Sequence, residues 1–348
     1  MIKVKKEGIL LKKTKLDFEN EGVLNPAVIR IGDCVHIFYR AVQQGNRSSV
    51  GYCRLDGPLN LVERWKKPII SSEFDYESQG VEDARIVKID DTFYMTFTCY
   101  DGINARGALA TSKDLKRFDK HGIIVPPITY SEFVFLAESA GKVNENYYRN
   151  HKFYYQEADP EKTIMLWDKN VVFFPRKING NFVFFHRIRP GIQLVSIANL
   201  SDLTKEFWDN YFINFHDNIV LDPVHKHESC YIGSGCPPIE TGYGWLMIYH
   251  GVEETQNGLV YSACAALLDL NNPVIEIARL PYPLFSPEYE WERRGEVNNV
   301  VFPTGTALFG DTLFIYYGAA DEQIATASVS LPALIKELLL YPKINEKK

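Results

Sequence analysis

A short unit of two β-strands recurs five times along this chain. Each copy is predicted to hold one strand, a tight turn built from Gly, Asp or Asn, and a second strand rich in aromatic residues. Self-similarity at such a long period is typical of arrays in which every unit buries its faces against its neighbours. The five copies are Asn25–Ala41, Glu82–Tyr100, Phe174–Arg187, Pro237–Gly251 and Phe302–Gly318.

A further strand, rich in small residues, is predicted after each copy. These strands are Ser48–Leu55, Arg106–Ser112, Ile192–Ala198, Val260–Leu268 and Ile324–Val329. We therefore predict an all-β fold, a five-bladed β-propeller that forms a single domain over residues 1–348. The spacing of the copies is uneven, and the largest excess, Ser131–Asp168, is predicted to be a lid-like insertion. A helical pattern over Pro332–Leu340 predicts a short C-terminal helix.

Net charge, apolar runs and cysteine spacing argue against several kinds of binding partner. The net charge of −6 argues against nucleic acid, because a phosphate backbone needs a basic face. No apolar run approaches the roughly 18 residues of a membrane span, and the N-terminus lacks a signal-peptide core, so we expect a cytoplasmic enzyme with no membrane partner. The six cysteines form no C-x-x-C pair and are expected to be reduced, and no metal site is predicted. Assembly into a homo-oligomer is left open.

Charged residues recur at the ends of the predicted strands. Glu82, Asp83 and Arg85 stand directly before an apolar strand, where a surface salt bridge is the plain alternative to a functional role. Comparable positions in the other copies hold Arg176, Lys177, Glu240, Arg40, Arg187, His250 and Asp321. If the units surround one axis, these side chains meet in one pocket. Such a mixed cluster of acids and bases suits a hydroxyl-rich or anionic ligand, and catalytic sites are where such clusters shift pKa values.

Several longer stretches carry a family resemblance. They are GVEDARIV, FFPRKINGNF, IGSGCPPIETGYGWLMIYHGV, YSACAALLDL and NNVVFPTGTALF with IYYGAAD after it. In this order, from about Asn25 to Ala327, they resemble glycoside hydrolase family 130, the β-mannoside phosphorylases and β-mannosidases. The resemblance implies a five-bladed propeller that cleaves a β-mannoside oligosaccharide with inversion and needs no metal or organic cofactor.

The same resemblance assigns roles to individual residues. Asp83 matches the general acid of the family, which is thought to act through a sugar hydroxyl. Arg40 and Asp321 match positions that hold the sugar in the subsite being cleaved, and Tyr261 matches a tyrosine that lines the pocket. The expected substrate-binding set is completed by Asn25, Ser49 and Arg85.

The nucleophile distinguishes two reactions. Phosphorylases of the family bind phosphate with basic residues, and the candidates in this chain are Arg176, Lys177, Arg187 and His250. Where the phosphorylases commonly carry a lysine before I-G-x-G, this chain has Tyr231, and Glu228 is a candidate for activating water instead. We therefore favour hydrolysis of β-1,2-linked mannosides, with Asp83 and Glu228 as catalytic residues.

Three alternatives stay open at this stage. Phosphorolysis to mannose 1-phosphate, with inorganic phosphate as co-substrate, is the main alternative, and a cytoplasmic setting favours it because a sugar phosphate is useful inside the cell. A non-catalytic sugar-binding propeller has no need for Asp83 together with Asp321 and neighbouring cations. A furanosidase-like hydrolase would use three axial acids without the cations of FPRK and YHG.

Overall fold

The structure is a computed structural model that describes residues 2–140, 143–148 and 164–343. These residues form 21 β-strands. Strand β1, Lys5–Leu11, comes first, and the remaining strands fall into five consecutive groups, here called units one to five, that follow the five sequence copies. The structure therefore confirms the all-β prediction.

The strands of the five units have the following bounds. Unit one holds β2 Gly22–Ile31, β3 Cys34–Gln43, β4 Arg47–Asp56 and β5 Asn60–Arg64. Unit two holds β6 Gly80–Ile89, β7 Thr92–Tyr100, β8 Ala105–Ser112 and β9 Asp119–Ile123. Unit three holds β10 Lys169–Phe173, β11 Phe182–Arg187, β12 Ile192–Ile197 and β13 Ile219–Leu221. Unit four holds β14 Tyr231–Ser234, β15 Ile239–Thr241, β16 Gly244–Thr255, β17 Gly258–Leu268 and β18 Glu276–Arg279. Unit five holds β19 Val301–Phe309, β20 Thr312–Ala319 and β21 Gln323–Ser330.

Neighbouring strands within a unit pair antiparallel, as short hairpin turns require. Strand β1 pairs with β21, so the N-terminal segment supplies the fourth strand of unit five. One parallel bridge, between Ser48 and Gly80, links units one and two, and their strands therefore count as a single eight-stranded sheet. The five predicted small-residue strands correspond to β4, β8, β12, β17 and β21.

Four α-helices that lie wholly within the described residues stand between or after the strands. They are α1 Tyr130–Glu138, α2 Lys205–Ile213, α3 Glu290–Arg293 and α4 Leu331–Leu338. Helix α4 confirms the predicted C-terminal helix, although it begins one residue earlier and ends before Leu340. Helix α1 opens the predicted insertion and packs Phe133 against Phe212 and Phe215, while residues 141–142 and 149–163 of that insertion lie outside the described residues. Among the described residues, every helix is too short or too polar to span a bilayer.

Five buried apolar clusters lie between consecutive units. The aromatic second strands of the units build them, because alternate side chains of a strand point to opposite faces of its sheet. Phe38 of unit one shares a cluster with Phe97 of unit two, and three further clusters join units two and three, three and four, and four and five. The fifth cluster holds Ile37 of unit one and Tyr316 of unit five. The last unit therefore packs on the first.

Candidate functional site

The first strands of units one, two and three are interrupted by a β-bulge at the same place. The pairing of each strand shifts register around Asn25, Asp83 and Asn170, whose φ angles are 48°, 50° and 57°. Asn and Asp tolerate this left-handed conformation better than other residues with a side chain. A bulge re-aims the side chain that it carries. The side chains of these three residues therefore do not follow the regular pattern in which successive side chains point to opposite faces of a sheet.

Two of these bulges meet in a buried polar group. Asn25 Nδ2 donates a hydrogen bond of 2.7 Å to Asp83 Oδ1. Arg40, in β3, lies between two carboxylates, with Nη2 2.8 Å from Glu82 Oε1 and Nη1 3.8 Å from Asp83 Oδ1. Its Nε donates to Ser48 Oγ over 2.8 Å. Arg40 is therefore held on three sides.

The two aspartates of this group have pKa values pushed in opposite directions. Burial alone would raise the pKa of Asp83, but Arg40, Lys169 and Arg85 more than offset it and hold that pKa below its usual range. Burial raises the pKa of Asp321 to about 6, and the charge of Asp83 adds to the effect against the opposing charge of Arg40. Carboxyl groups whose pKa values are driven apart are a common arrangement for acid and base roles.

A cluster of cations faces these carboxylates. Lys169 in β10 and Arg187 in β11 lie directly opposite each other in the β10–β11 pair, so both side chains lie at the same end of unit three. Arg187 Nη1 lies 3.5 Å from Nε2 of His250, which comes from β16. Arg189, just beyond β11, lies over the ring of Tyr231 with 3.8 Å between its guanidinium carbon and the ring centroid. We call Lys169, Arg187 and Arg189 the cation cluster, and His250 adjoins it.

The cation cluster is electrostatically strained. Burial lowers the pKa of Lys169 to about 8 and that of Arg187 to about 10, with their cationic neighbours contributing. Burial, followed by the charges of Arg187 and Arg85, holds the pKa of His250 well below its usual range, so the imidazole is neutral near pH 7. Such a cluster is stabilised by any anion that enters it.

Several polar atoms of this region are buried and have no hydrogen-bond partner among the described residues. They are Arg85 Nη2, Arg187 Nε, Asn170 Nδ2 and His250 Nδ1. Arg85 otherwise donates from Nε to the carbonyl of Gly235 and from Nη1 to the carbonyls of Asp83 and Ala84, at 2.8 and 2.9 Å. Buried donors without partners are rare in folded proteins and mark a place for a ligand or ordered water.

Glycine 233, in I-G-S-G, permits the close packing of this region. A Cβ atom at Gly233 would lie 2.5 Å from His250 Cε1 and 2.7 Å from Asn170 Nδ2. Both distances are shorter than van der Waals contact allows. The glycine therefore lets Asn170 of unit three approach His250 of unit four.

Comparisons with known proteins identify the family of this chain. The profile of glycoside hydrolase family 130, described as β-1,4-mannooligosaccharide phosphorylase, matches residues 13–339. The chain belongs to glycoside hydrolase family 130. It is 32% identical over 344 residues to 1,2-β-oligomannan phosphorylase of Thermoanaerobacter sp. (strain X514), covering 95% of this chain and 98% of that protein. It is 33% identical over 331 residues to the β-1,2-mannobiose phosphorylase of the same organism, with coverage of 90% and 91%.

Solved structures of the family share the fold. The β-1,2-mannobiose phosphorylase from Listeria innocua, in complex with β-1,2-mannobiose, superposes with a TM-score of 0.69 at 22% identity and covers 92% of each chain. A family 130 structure described with glycoside hydrolases that target β-1,2 mannosidic linkages in Candida mannan gives a TM-score of 0.71 at 21% identity, with coverage of 94% and 93%. At these identities the likeness concerns the fold.

In this family 130 chain, most of the residues singled out from the sequence lie in one region. Tyr261 is joined to the cation cluster through Tyr231, because the two hydroxyl oxygens are 2.8 Å apart. Ser49 is an exception. Its neighbour Ser48 contacts Arg40, whereas Ser49 lies on the opposite face of β4, since successive residues of a strand point to opposite sides.

Arg176 and Lys177 do not join the cation cluster. They lie near the turn of the β10–β11 hairpin, at the end opposite to the Lys169–Arg187 pair. Arg176 forms a two-pronged ion pair with Glu240 at 2.7 and 2.6 Å, and its side chain is 42% exposed. We therefore leave both residues out of the anion site. The basic side chains near Arg187 and His250 are instead Lys169 and Arg189.

Lys169 had a recognisable sequence signal. It stands directly before the bulge residue Asn170, as Glu82 stands directly before Asp83. No comparable signal marks Arg189, whose position depends on how units three and four pack.

The structure gives Glu228 a role different from the predicted activation of water. Its carboxylate is fully buried and accepts hydrogen bonds from Tyr249 Oη at 2.5 Å, from Arg279 Nη1 at 3.2 Å and from two backbone N–H groups. Equivalent buried glutamates precede the first strand of three other units. They are Glu19, Glu77 and Glu292. A repeated, saturated carboxylate is a structural element, so we do not assign Glu228 to catalysis.

The same glutamate belongs to a group of residue types that bind metals. The ligand atoms of His227, Glu228 and Cys264 lie within 4.8 Å of one another. Both oxygens of Glu228 already accept hydrogen bonds, and the Arg279 guanidinium lies on one of them. A cation at this place would have to displace those bonds and face a buried positive charge, so we assign no metal there.

Proposed function

We propose that this protein is a β-mannoside phosphorylase, which cleaves its substrate with inorganic phosphate and releases mannose 1-phosphate. The cation cluster beside Asp83, with its buried donors that lack partners, is the observation that carries the proposal. The preference for hydrolysis in our sequence analysis is not supported: the relatives described above are phosphorylases, and Glu228 is engaged elsewhere.

The charge of the site favours phosphate over water as the nucleophile. Buried cations repel one another and lose hydration, and this cost is offset when an anion with several acceptor oxygens binds among them. Water has no charge and gains little from such a site. A phosphate ion next to Lys169, Arg187 and Arg189 would accept hydrogen bonds from all three, and the neutral His250 would complete its surroundings.

The proposed mechanism uses Asp83 as general acid, as the family resemblance implies. In an inverting reaction the proton donor and the nucleophile lie on opposite sides of the anomeric carbon. The cations that lower the pKa of Asp83 would keep it ionised, and an ionised carboxylate has no proton to donate. Phosphate bound near Lys169 offsets part of that field, and burial then raises the pKa of Asp83. Binding of phosphate would therefore prepare the acid.

The proposed substrate is a β-1,2-linked mannoside. The relatives that are 32% and 33% identical carry names that specify 1,2-linked mannan and mannobiose, and this supports the linkage that the sequence favoured. Asn25, Arg40 and Asp321 surround Asp83 and offer an amide, a guanidinium and a carboxyl group to sugar hydroxyls. Carboxylates and amides next to one another are suited to neighbouring hydroxyl groups.

We further propose that the five units are the blades of a five-bladed propeller. The support is the ring of five apolar clusters, in which unit five packs on unit one, and the strand β1 that the N-terminus adds to the last unit. First strands contact one another from β2 to β6, β10 and β14, and β19 contacts β16 and β17 of unit four and returns to β2. In such a ring the bulges of several units point to one central pocket.

The test is product analysis with β-1,2-mannobiose. Purified protein is incubated with the disaccharide with and without millimolar inorganic phosphate, and mannose and mannose 1-phosphate are quantified. We expect equimolar mannose and mannose 1-phosphate with phosphate, and negligible cleavage without it. Release of two mannose molecules at a rate independent of phosphate would restore hydrolysis. Binding of the disaccharide without turnover in either condition would favour the sugar-binding propeller.

A further inference from the structure

Arg189 is a partly exposed member of the cation cluster, and no sequence feature singled it out. It follows β11 directly, is half-buried, and stacks on the face of Tyr231. Arg187 approaches the same ring, with 5.2 Å between its guanidinium carbon and the ring centroid. No carboxylate of the described residues pairs with Arg189. Its guanidinium is therefore held by an aromatic ring and retains its hydrogen-bonding capacity.

Stacking leaves the donors of a guanidinium available. The group is planar, and its five N–H bonds lie in that plane, so an aromatic ring on one face does not block them. A lysine in the same place would offer a point charge without this fork. The edge of Arg189 can therefore bind two oxygens of one phosphate at once.

Arg189 lines a cavity and also acts electrostatically on the buried cations. Arg189 and Tyr231 line a cavity of about 170 Å³, whose other walls include Asn146, Ser229 and Glu254. The charge of Arg189 also acts on the interior, since it contributes to the lowered pKa values of Arg187, Lys169 and His250. An anion in this cavity would therefore lie beside Arg189, whose charge also acts on the buried members of the cluster.

We propose that Arg189, stacked on Tyr231, supplies positive charge that binds phosphate. Position 231 is where phosphorylases of the family commonly carry a lysine, and its absence here was the reason for favouring water as the nucleophile. This inference rests on the proposed phosphorylase function. In this proposal Arg189 and Tyr231 act together. The ring of Tyr231 holds the guanidinium in place, and the guanidinium provides the charge that a lysine at position 231 would otherwise provide. Arg189 is then a determinant of specificity for phosphate and has no part in binding the mannosyl unit.

The experiment separates charge from packing. Arg189→Gln keeps a planar, stackable amide but removes the charge, while Arg189→Lys keeps the charge but removes the fork. We expect the KM for phosphate to rise about 10- to 100-fold in Arg189→Gln, the loss of one charge-assisted interaction, and to rise less in Arg189→Lys. The KM for mannose 1-phosphate in the synthetic direction should rise in parallel. The KM for β-1,2-mannobiose should stay within about twofold of wild type.

A rescue variant adds a second readout. Introducing Tyr231→Lys into Arg189→Gln should lower the KM for phosphate again, because a cation returns to the same place. Direct binding of inorganic phosphate, measured by calorimetry without any sugar, should follow the same order of variants.

The outcomes distinguish this inference from the proposed function. If wild-type protein releases only free mannose, the phosphorylase function fails and the role of Arg189 fails with it. If wild-type protein performs phosphorolysis but Arg189→Gln keeps its KM for phosphate, the inference alone is wrong. A rise in the KM of both substrates, with no rescue by Tyr231→Lys, would show that Arg189 only supports the local packing.

Discussion

Single residues with left-handed backbone conformation shape the site. Asn25, Asp83 and Asn170 each occupy the bulge of a first strand, with positive φ. Asn and Asp share this tolerance because their short polar side chains can hydrogen-bond locally. Exchange of one for the other therefore changes the chemistry of the side chain without adding backbone strain.

For this reason Asp83→Asn is the cleanest test of the general acid. We expect kcat for phosphorolysis to fall by at least about 100-fold, the usual contribution of a general acid, while the thermal unfolding temperature stays near that of wild type. Steady-state kinetics and thermal unfolding measure the two effects. A well-folded variant with near-normal kcat would exclude Asp83 from the role.

Lys169 predicts a pH dependence. Its pKa is lowered to about 8, so the ammonium is charged below that pH and neutral above it. We expect kcat/KM for phosphate to fall as pH rises above about 8, because this parameter reports ionisations of the free enzyme. Arg187, whose pKa is about 10, loses its charge about two pH units higher.

Lys169→Arg is the matched variant for this profile. Since arginine stays protonated at higher pH, the alkaline fall in kcat/KM should move upward in the variant. The measurement is the pH profile of kcat/KM for phosphate between pH 6 and 10. The same alkaline limb in both proteins would mean that another group titrates.

At the scale of elements, each unit holds its second strand with a buried carboxylate. In unit one Glu19 accepts from Tyr39 Oη at 2.7 Å and pairs with Arg64 at 2.8 Å. Unit two uses Glu77 with Cys99 and Lys120, unit four Glu228 with Tyr249 and Arg279, and unit five Glu292 with Tyr317 and Lys6. In units one and four the clamped tyrosine directly precedes Arg40 or His250 in the sequence, so the clamp lies next to the site without touching it.

Unit three departs from this pattern. His186, which precedes Arg187, bonds through Nδ1 to Asp168 at 2.8 Å and through Nε2 to Tyr211 at 2.7 Å. Asp168 in turn precedes Lys169. A single buried pair therefore ties together the two strands from which both cations enter the site.

The clamp predicts a stability effect for Glu228→Gln without a catalytic one. Loss of the buried charge leaves Arg279 partly uncompensated, and we expect the free energy of unfolding to fall by about 2–4 kcal/mol. Tyr249→Phe removes one hydrogen bond and should cost about 1 kcal/mol. Chemical denaturation measures both, and kcat at saturating substrates should change by less than about threefold. Normal stability combined with lost turnover would return Glu228 to a catalytic role.

At the scale of the whole molecule, the N-terminal strand joins the two ends of the array. Strand β1 pairs with β21, and Leu11 at its end lies in the apolar cluster shared by units five and one. Lys6 of the same strand forms a buried ion pair with Glu292 and also lies 4.4 Å from the ring centroid of Phe285. Unit five is therefore completed by residues from the opposite end of the sequence.

Two neighbouring lysines of β1 provide a matched pair of variants. Lys6→Ala leaves the buried Glu292 without its cation and should lower the free energy of unfolding by about 3 kcal/mol or more. Lys5, whose side chain is 72% exposed, pairs with Glu7 at the surface, and Lys5→Ala should change stability by less than about 1 kcal/mol. Denaturant titrations give both values. Equal effects of the two variants would mean that β1 contributes little to holding the array together.

Local patterns in the sequence determined the strands and turns. Aromatic and β-branched runs separated by Gly, Asp and Asn predicted the hairpins, because strand propensity and turn chemistry act over a few residues. The order of motifs placed Asp83, Arg40, Arg187 and His250 at strand ends, and the structure brings them together.

Contacts between residues that are distant in the sequence determine which of the charged side chains face one another, and the local sequence pattern does not reveal them. Arg176 and Lys177 were predicted to bind phosphate, yet they lie at the far end of the hairpin that carries Lys169 and Arg187. Glu228 was predicted to be a free carboxylate that activates water, but it accepts hydrogen bonds from Tyr249 and Arg279. The physical reason is that strand pattern is local, whereas a bulge, the packing of neighbouring units and the pairing of β1 with β21 set where each strand end points.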